Sequence, residues 1–460
     1  MSETKCVNLN LKIMQKTLIK NAQVVNEGRT VTQDVLISGE RIEKIADQIE
    51  IKGNVHIIEA NGMFLLPGVI DDQVHFREPG LTHKAEIYTE SRAALAGGVT
   101  SYMEMPNVVP QTTDFDKLEA KYQIGAEKSA VNYSFYLGGT NQNLEVLKRV
   151  DTESVCGVKI FMGSSTGNML VDDAPVLEAM FRDVPTLIAT HCECETRVKS
   201  RLEDAKSRFP NGIPPSEHPI IRDATACYLS SSLAVDLARK YHSRLHILHI
   251  TSEVETHLFR NDIPLAEKRI TSEVCVHHLH FTDADYELYQ NQIKCNPAIK
   301  TQADNDALWK ALLDDRLDVI ATDHAPHAIE EKFAEDYLNC HAGLPLVQHP
   351  LLLMLKKVRE GKIRIEKVVE KMSHNVAIAY KMVDRGFIRE GYFADLVLVN
   401  PSGNTTVTKD NIRYKCGWSP LLGTEFGNKI EKVFVNGTLS FDKGKIKEIN
   451  AKRLRFQKDR

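Results

Sequence analysis

Ionisable side chains stand where five strand-like apolar runs of this sequence end. They are His75 in DDQVHFREPG (71–80), Lys159 in VKIF, His191 in TLIATH, His249 in RLHILHI and Asp323 in LDVIATD, with His324 and His327 just beyond. Imidazole and carboxylate are the donors zinc takes in hydrolytic sites, and a carboxylate beside a metal can be both ligand and proton acceptor. Each residue also has an ordinary reading. A histidine beside an apolar run is most often a hydrogen-bonded core or rim residue. An aspartate before a turn is often a cap, although two titratable groups right behind Asp323 weaken that reading. A lysine inside an apolar strand is costly unless paired or neutral. Lys159 is therefore a Schiff-base nucleophile, a buried ion-pair partner, or an amine that has taken up CO2 as a carbamate. The first run poses a further question. A strand ending in His-x-His turns two imidazoles to one face, but Gln73 stands two residues before His75. Its amide oxygen is a neutral, weaker zinc donor. His246 and His249 are an odd number apart, which places them on opposite faces of a strand, so at most one faces the mouth of a barrel.

What must position these groups is a long alternation of strands and helices. Strand-like runs appear at PGVIDDQVHF, VTSYMEM (99–105), VNYSFYLG (131–138), VCGVKIFM (155–162), TLIATH (186–191), RLHILHI (244–250), RITSEVCV (269–276) and LDVIATD (317–323). Helix-like stretches such as KAEIYTESRAALAGG, DDAPVLEAMFRD and ATACYLSSSLAVDLARKYH lie between most of them. Eight strands alternating with helices predict a (β/α)8 TIM barrel, whose active sites are built at the C-terminal ends of the strands. No GxGxxG follows a strand, which counts against a dinucleotide fold. Both chain ends instead carry short β-branched runs broken by glycine and Asn-Gly turns. They predict a small β-sandwich domain from 17–66 plus 388–450, flanking a barrel over 67–387.

Composition bounds the remaining possibilities. The chain has 460 residues, 42% hydrophobic and 26% charged, with a net charge of −4, the usual mix of a soluble globular protein. No basic run suggests a nucleic-acid partner, and no apolar stretch reaches the roughly 20 residues of a membrane span. The N-terminal stretch MSETKCVNLNLKIMQK lacks a signal-peptide apolar region. Nine dispersed cysteines read as reduced thiols of a cytoplasmic protein. Cys192 and Cys194 have no second pair to make a zinc knuckle.

Taken together, VHFREPG (74–80), MPN (105–107), VKIF, THCE (190–193), HILHITS (246–252), NPAIK (296–300) and ATDHAPH (321–327) resemble the amidohydrolase superfamily, and within it the dihydroorotases, over about 17–450. FREPG, MPN and DHAPH form the trio that hydantoinases and dihydropyrimidinases lack. The resemblance implies a centre of one or two zinc ions. A carboxylated Lys159 would bridge the ions, with His191 and His249 on one and His75 and Asp323 on the other. Gln73 falls where the family has the first histidine, so the ion beside it is expected to be weakly held. The implied reaction is the reversible closure of N-carbamoyl-L-aspartate to L-dihydroorotate in pyrimidine biosynthesis, driven by a metal-activated hydroxide. Asp323 would be the general base and acid. Arg77 would grip the substrate carboxylate with its guanidinium fork, Asn107 and His327 would complete that grip, and Asn296 would contact the ring. The polar loop 328–346 is expected to act as a lid, with Gly343, Leu344 and Pro345 where the family has GLE.

Two other readings remain open. One is a related cyclic amidase for hydantoins, dihydropyrimidines or allantoin, whose substrates need no carboxylate grip. The other is a non-catalytic dihydroorotase-like subunit supporting a partner such as aspartate transcarbamoylase. The retained Lys159, His191, His249 and Asp323 argue against the second. A homodimer is the default assembly.

Overall fold

The computed structural model describes residues 16–163, 169–334 and 336–458, so the N-terminal residues 1–15 read above lie outside the described chain. All eight predicted barrel strands form. They are Val69–Val74, Val99–Glu104, Asn132–Phe135 continued by Leu137–Gly138, Val158–Phe161, Ile188–His191, Leu245–Ile247, Ile270–Cys275 and Val319–Ala321. Neighbours pair in parallel in sequence order. The ring closes where Val74 meets His324 in a parallel bridge and His75 N donates to His324 O at 2.7 Å.

These strands are buried on both faces, as parallel strands under a helical coat must be. Inside the barrel Ile70, Met103, Met105, Tyr136, Leu187, Ala189, Leu248 and Val319 pack into one cluster. Truncating one such side chain to alanine costs about 2–5 kcal/mol through lost burial and the cavity left behind. The outer faces pack under helices that begin at capped ends. Asp114 caps Phe115–Lys128, Asp223 caps Ala224–Tyr241, and Thr301 and Asp304 form a capping box on Gln302–Leu313. Each such cap contributes about 1 kcal/mol.

The second domain is the expected β-sandwich drawn from both chain ends. Phe64–Pro67 lies beside Lys16–Asn26 on one side and antiparallel to Leu396–Asn400 on the other, with Leu65 opposite Leu398. Asp395 fastens this domain to the barrel by accepting from Asn436 N at 2.8 Å and Asn132 Nδ2 at 3.3 Å and by pairing with Arg385. Beyond the predicted domain limit, residues 451–458 run back along the barrel. Tyr133 N donates to Lys452 O, Leu454 N donates to Tyr133 O, and Leu454 and Phe456 are buried. The eight described cysteines are free thiols. No helix among the described residues is long and apolar enough to cross a membrane.

Candidate active site

One cavity at the C-terminal mouth of the barrel collects nine of the ten predicted site residues: Gln73, His75, Arg77, Asn107, Lys159, His191, His249, Asn296 and Asp323. The tenth, His327, stands behind Arg77, with its Nε2 3.1 Å from Arg77 Nη2. Three of these residues hold a left-handed backbone: Arg77 at φ 67°, His249 at φ 43° and Asp323 at φ 46°. Non-glycine residues adopt this region at a cost, and such strain concentrates at functional sites. It also explains the histidine pair. The sixth strand ends at Ile247, so His249 lies beyond it and escapes its alternation. The expectation that at most one of the pair faces the mouth holds, although strand alternation is not the reason. His246 Nε2 lies 3.4 Å from Glu273 Oε2, and the other oxygen of that carboxylate accepts from His249 N at 3.0 Å. The His246 ring and the His249 main chain thus share Glu273, and only the His249 side chain lines the cavity.

The imidazoles are oriented from behind. His191 Nε2 lies 3.0 Å from Glu193 Oε2, so its hydrogen points there and its Nδ1 lone pair turns to His249 Nε2, 3.0 Å away. Burial raises Glu193, but Arg222 and His191 outweigh it and hold the carboxyl near about 2. His75 Nδ1 lies 2.9 Å from Asn107 Oδ1, which leaves His75 Nε2 facing Asp323 Oδ1 at 3.2 Å. A carboxylate or amide behind a ligating imidazole is the support a metal site needs. Glu193 is part of THCE (190–193), where the sequence alone assigns it no role. Its basic partner Arg222 lies 29 residues away, and nothing in the sequence links the two.

Lys159 is 1% exposed, and its Nζ has no hydrogen-bond partner. It lies 4.5 Å from the Phe161 ring centroid. Burial pulls its pKa down to about 7. Such an amine is costly as a bare ammonium. The ion-pair reading of Lys159 thus finds no partner among the described residues. Asp323 is pushed up to about 6 by burial, against the pull of His277, His191, Lys159 and Arg77. An orphaned amine beside three imidazoles and a carboxylate is a donor set that suits zinc. Gln73 enters this set through its nitrogen: Nε2 donates to Asp323 Oδ1 at 3.1 Å, while Oε1 faces Cys275 Sγ at 3.9 Å.

The anion-binding side is equally built. Arg77 is 2% exposed, and its Nε donates to Pro326 O at 3.1 Å. Its neighbour Glu78 is taken by Lys128 and by Ile87 N. Asn296 Oδ1 is buried without a partner in the cavity wall. His324 turns away, donating from Nε2 to Glu90 at 2.8 Å and accepting from Leu346 N at 2.9 Å. The loop expected to be a polar lid is pinned. Lys332 is fully buried and donates to Lys294 O at 2.7 Å, and Ala325 N donates to Leu344 O at 2.8 Å. Gly343 closes the rim at φ 145°, where a Cβ would lie 2.3 Å from Ala325 O, so no other residue fits there.

The sequence profile of the Amidohydrolase family matches residues 64–440. A dihydroorotase of Methanosarcina acetivorans is 31% identical over 433 residues, spanning 92% of this chain and 90% of that protein. An allantoinase of Solibacter usitatus is 30% identical over 449 residues, spanning 94% and 95%. Among solved structures, the L-hydantoinase of Arthrobacter aurescens superposes with a TM-score of 0.90 over 95% of this chain and 98% of that one, at 23% identity.

Proposed function

The chain belongs to the amidohydrolase family, and within it we propose that the protein is a dihydroorotase, interconverting N-carbamoyl-L-aspartate and L-dihydroorotate. The coarser function, metal-dependent hydrolysis of cyclic amides, follows from the family. One observation carries the choice of substrate. Arg77 is a buried guanidinium in the cavity wall, on the same rim as the Asp323 carboxylate and the imidazoles. Burying a guanidinium is costly unless an anion repays it. A ring that bears a carboxylate does so, whereas hydantoin, dihydropyrimidine and allantoin rings bring none.

The residues present suit zinc, with His191, His249 and a carboxylated Lys159 around one ion and His75 and Asp323 toward a second, weaker position beside Gln73. When bound, zinc polarises the scissile carbonyl and makes water acidic enough to attack at neutral pH. The chain supplies the rest. Arg77 fixes the substrate carboxylate and so presents the ring amide to Asp323. Asp323 takes a proton from the attacking water as the C–O bond forms. It returns that proton to the ring nitrogen as the C–N bond breaks, and the closure reaction runs the same path backwards. Gln73 Nε2 donates to Asp323 and holds it in place.

The test is hydrolysis of L-dihydroorotate, allantoin and hydantoin by the zinc-loaded protein, with Asp323→Asn as control. Turnover of L-dihydroorotate alone, lost in the control, supports the reading. Preference for a ring without a carboxylate overturns it.

A further inference from the structure

We infer that Lys84 is a positioning residue of the anion subsite. It holds His327 in the tautomer that carries its hydrogen on Nε2, so that His327 and Arg77 turn two donors toward one substrate carboxylate. Lys84 follows the FREPG stretch, is 4% exposed, and places Nζ 3.2 Å from His327 Nδ1 and 2.9 Å from Glu331 Oε1. On the other side of the ring, His327 Nε2 lies 3.0 Å from Ala342 O and 3.1 Å from Arg77 Nη2.

Donor counting fixes the proton. An ammonium and a guanidinium only donate, and a carbonyl only accepts. Burial, with Arg77 adding to it, holds His327 neutral, so the ring has one N–H and one acceptor. With the hydrogen on Nε2, Lys84 donates to Nδ1 and Nε2 donates to Ala342 O, so both contacts are satisfied. With the hydrogen on Nδ1, it would press against the ammonium, Glu331 Oε2 at 3.7 Å would lie too far to accept it, and Ala342 O would lose its donor. Glu331, held 2.9 Å from Nζ, is the counter-charge that keeps Lys84 an ammonium.

The first tautomer has a consequence at the cavity. His327 Nε2–H and Arg77 Nη2–H then crowd one another at 3.1 Å, two donors sharing one space. A carboxylate oxygen set between them would accept from Arg77 and share the Nε2–H with Ala342 O, and charge-assisted bonds of this kind are the stronger sort. Lys84 itself touches neither the cavity wall nor a reacting atom, so its action runs through His327. Because Glu331 sits in the short helix Ile329–Lys332 after the eighth strand, the same lysine ties the two loops that carry Arg77 and His327.

This inference rests on the reading of the site as one that binds a carboxylate, and its test separates the two. In zinc-loaded enzyme labelled with 15N-histidine, His327 is assigned by its loss in His327→Gln, and its ring nitrogens report the tautomer. The wild type is expected to show Nε2–H, and Lys84→Met a shift to Nδ1–H or a mixture. For L-dihydroorotate, Lys84→Met is expected to raise KM tenfold or more with kcat within about threefold, and Lys84→Arg, still a pure donor, to recover most of that loss. A wild-type Nδ1–H tautomer overturns the inference whether or not any variant folds. So does Lys84→Met with Nε2–H retained, or with kcat reduced and KM unchanged. If the wild type does not turn over L-dihydroorotate, the dihydroorotase reading fails, and the tautomer comparison alone decides the role of Lys84.

Discussion

The side-chain nitrogen of Gln73 donates to Asp323 Oδ1 at 3.1 Å, the same oxygen that lies 3.2 Å from His75 Nε2. The residue that replaces an imidazole thus serves the carboxylate, with its own oxygen turned to the Cys275 thiol. Metal content is expected to follow. Wild-type protein purified with zinc should hold close to one ion per chain, and Gln73→His close to two, by elemental analysis after gel filtration. A tightly held pair in the wild type contradicts this.

Asp323 has a carboxyl raised to about 6 by burial and faces the cavity. Asp323→Asn keeps its volume and removes its basicity. The loss in kcat should be about 10²–10⁴-fold, the usual weight of a general acid–base group, and KM should change little. A fall confined to KM would assign Asp323 to binding instead.

Glu193 orients His191 and touches no cavity surface. Glu193→Gln should weaken zinc retention by about 10–100-fold, as losses behind a ligand do. Competition with a coloured chelator measures it, and unaltered retention would show that His191 needs no such support.

His349 provides a test of stability against pH away from the cavity. Burial lowers its pKa to about 3, and it lies against Tyr414 and Phe426. The folded state therefore leaves it neutral while the unfolded chain binds a proton below about 6.5. The unfolded state holds more protons between those values, so stability falls as pH drops from about 6.5 toward 3, by up to about 1.4 kcal/mol per pH unit from this group. Urea melts of the wild type and His349→Gln at pH 7 and pH 5 should differ in that slope. Parallel slopes would remove His349 from the acid sensitivity.

The barrel was legible because its strands are buried on both faces, which writes them as short apolar runs, and because the chemistry sits where those runs stop. Lys159, His191 and Asp323 could be read that way from strand ends alone. His249 could be read as a strand-end residue but not as an inward one, because its left-handed backbone follows no alternation. Lys84, Arg222 and Ala342 left no such mark. They come from loops and helices far apart in sequence, and only the closed barrel brings them behind the cavity. The loop 328–346 misled for a related reason. Lys332 looks like solvent-facing polarity in the sequence, yet its ammonium spends its hydrogens on buried carbonyls. The tail 451–458 carries few apolar residues, and nothing local shows that Leu454 and Phe456 are core.

The pairing of Phe64–Pro67 with Leu396–Asn400 sets a schedule for the chain during synthesis. When Phe64–Pro67 leaves the ribosome, that strand has an open edge, and its partner is more than 300 residues behind. At about 5–20 residues per second the wait is roughly 15–65 s. Throughout that interval the edge can pair with any other nascent strand. Expression at low temperature, which slows misassociation, or with holdase chaperones that cover the edge should therefore improve the soluble yield more than supplying zinc does. The two domains are finished together, once residues 429–458 have emerged.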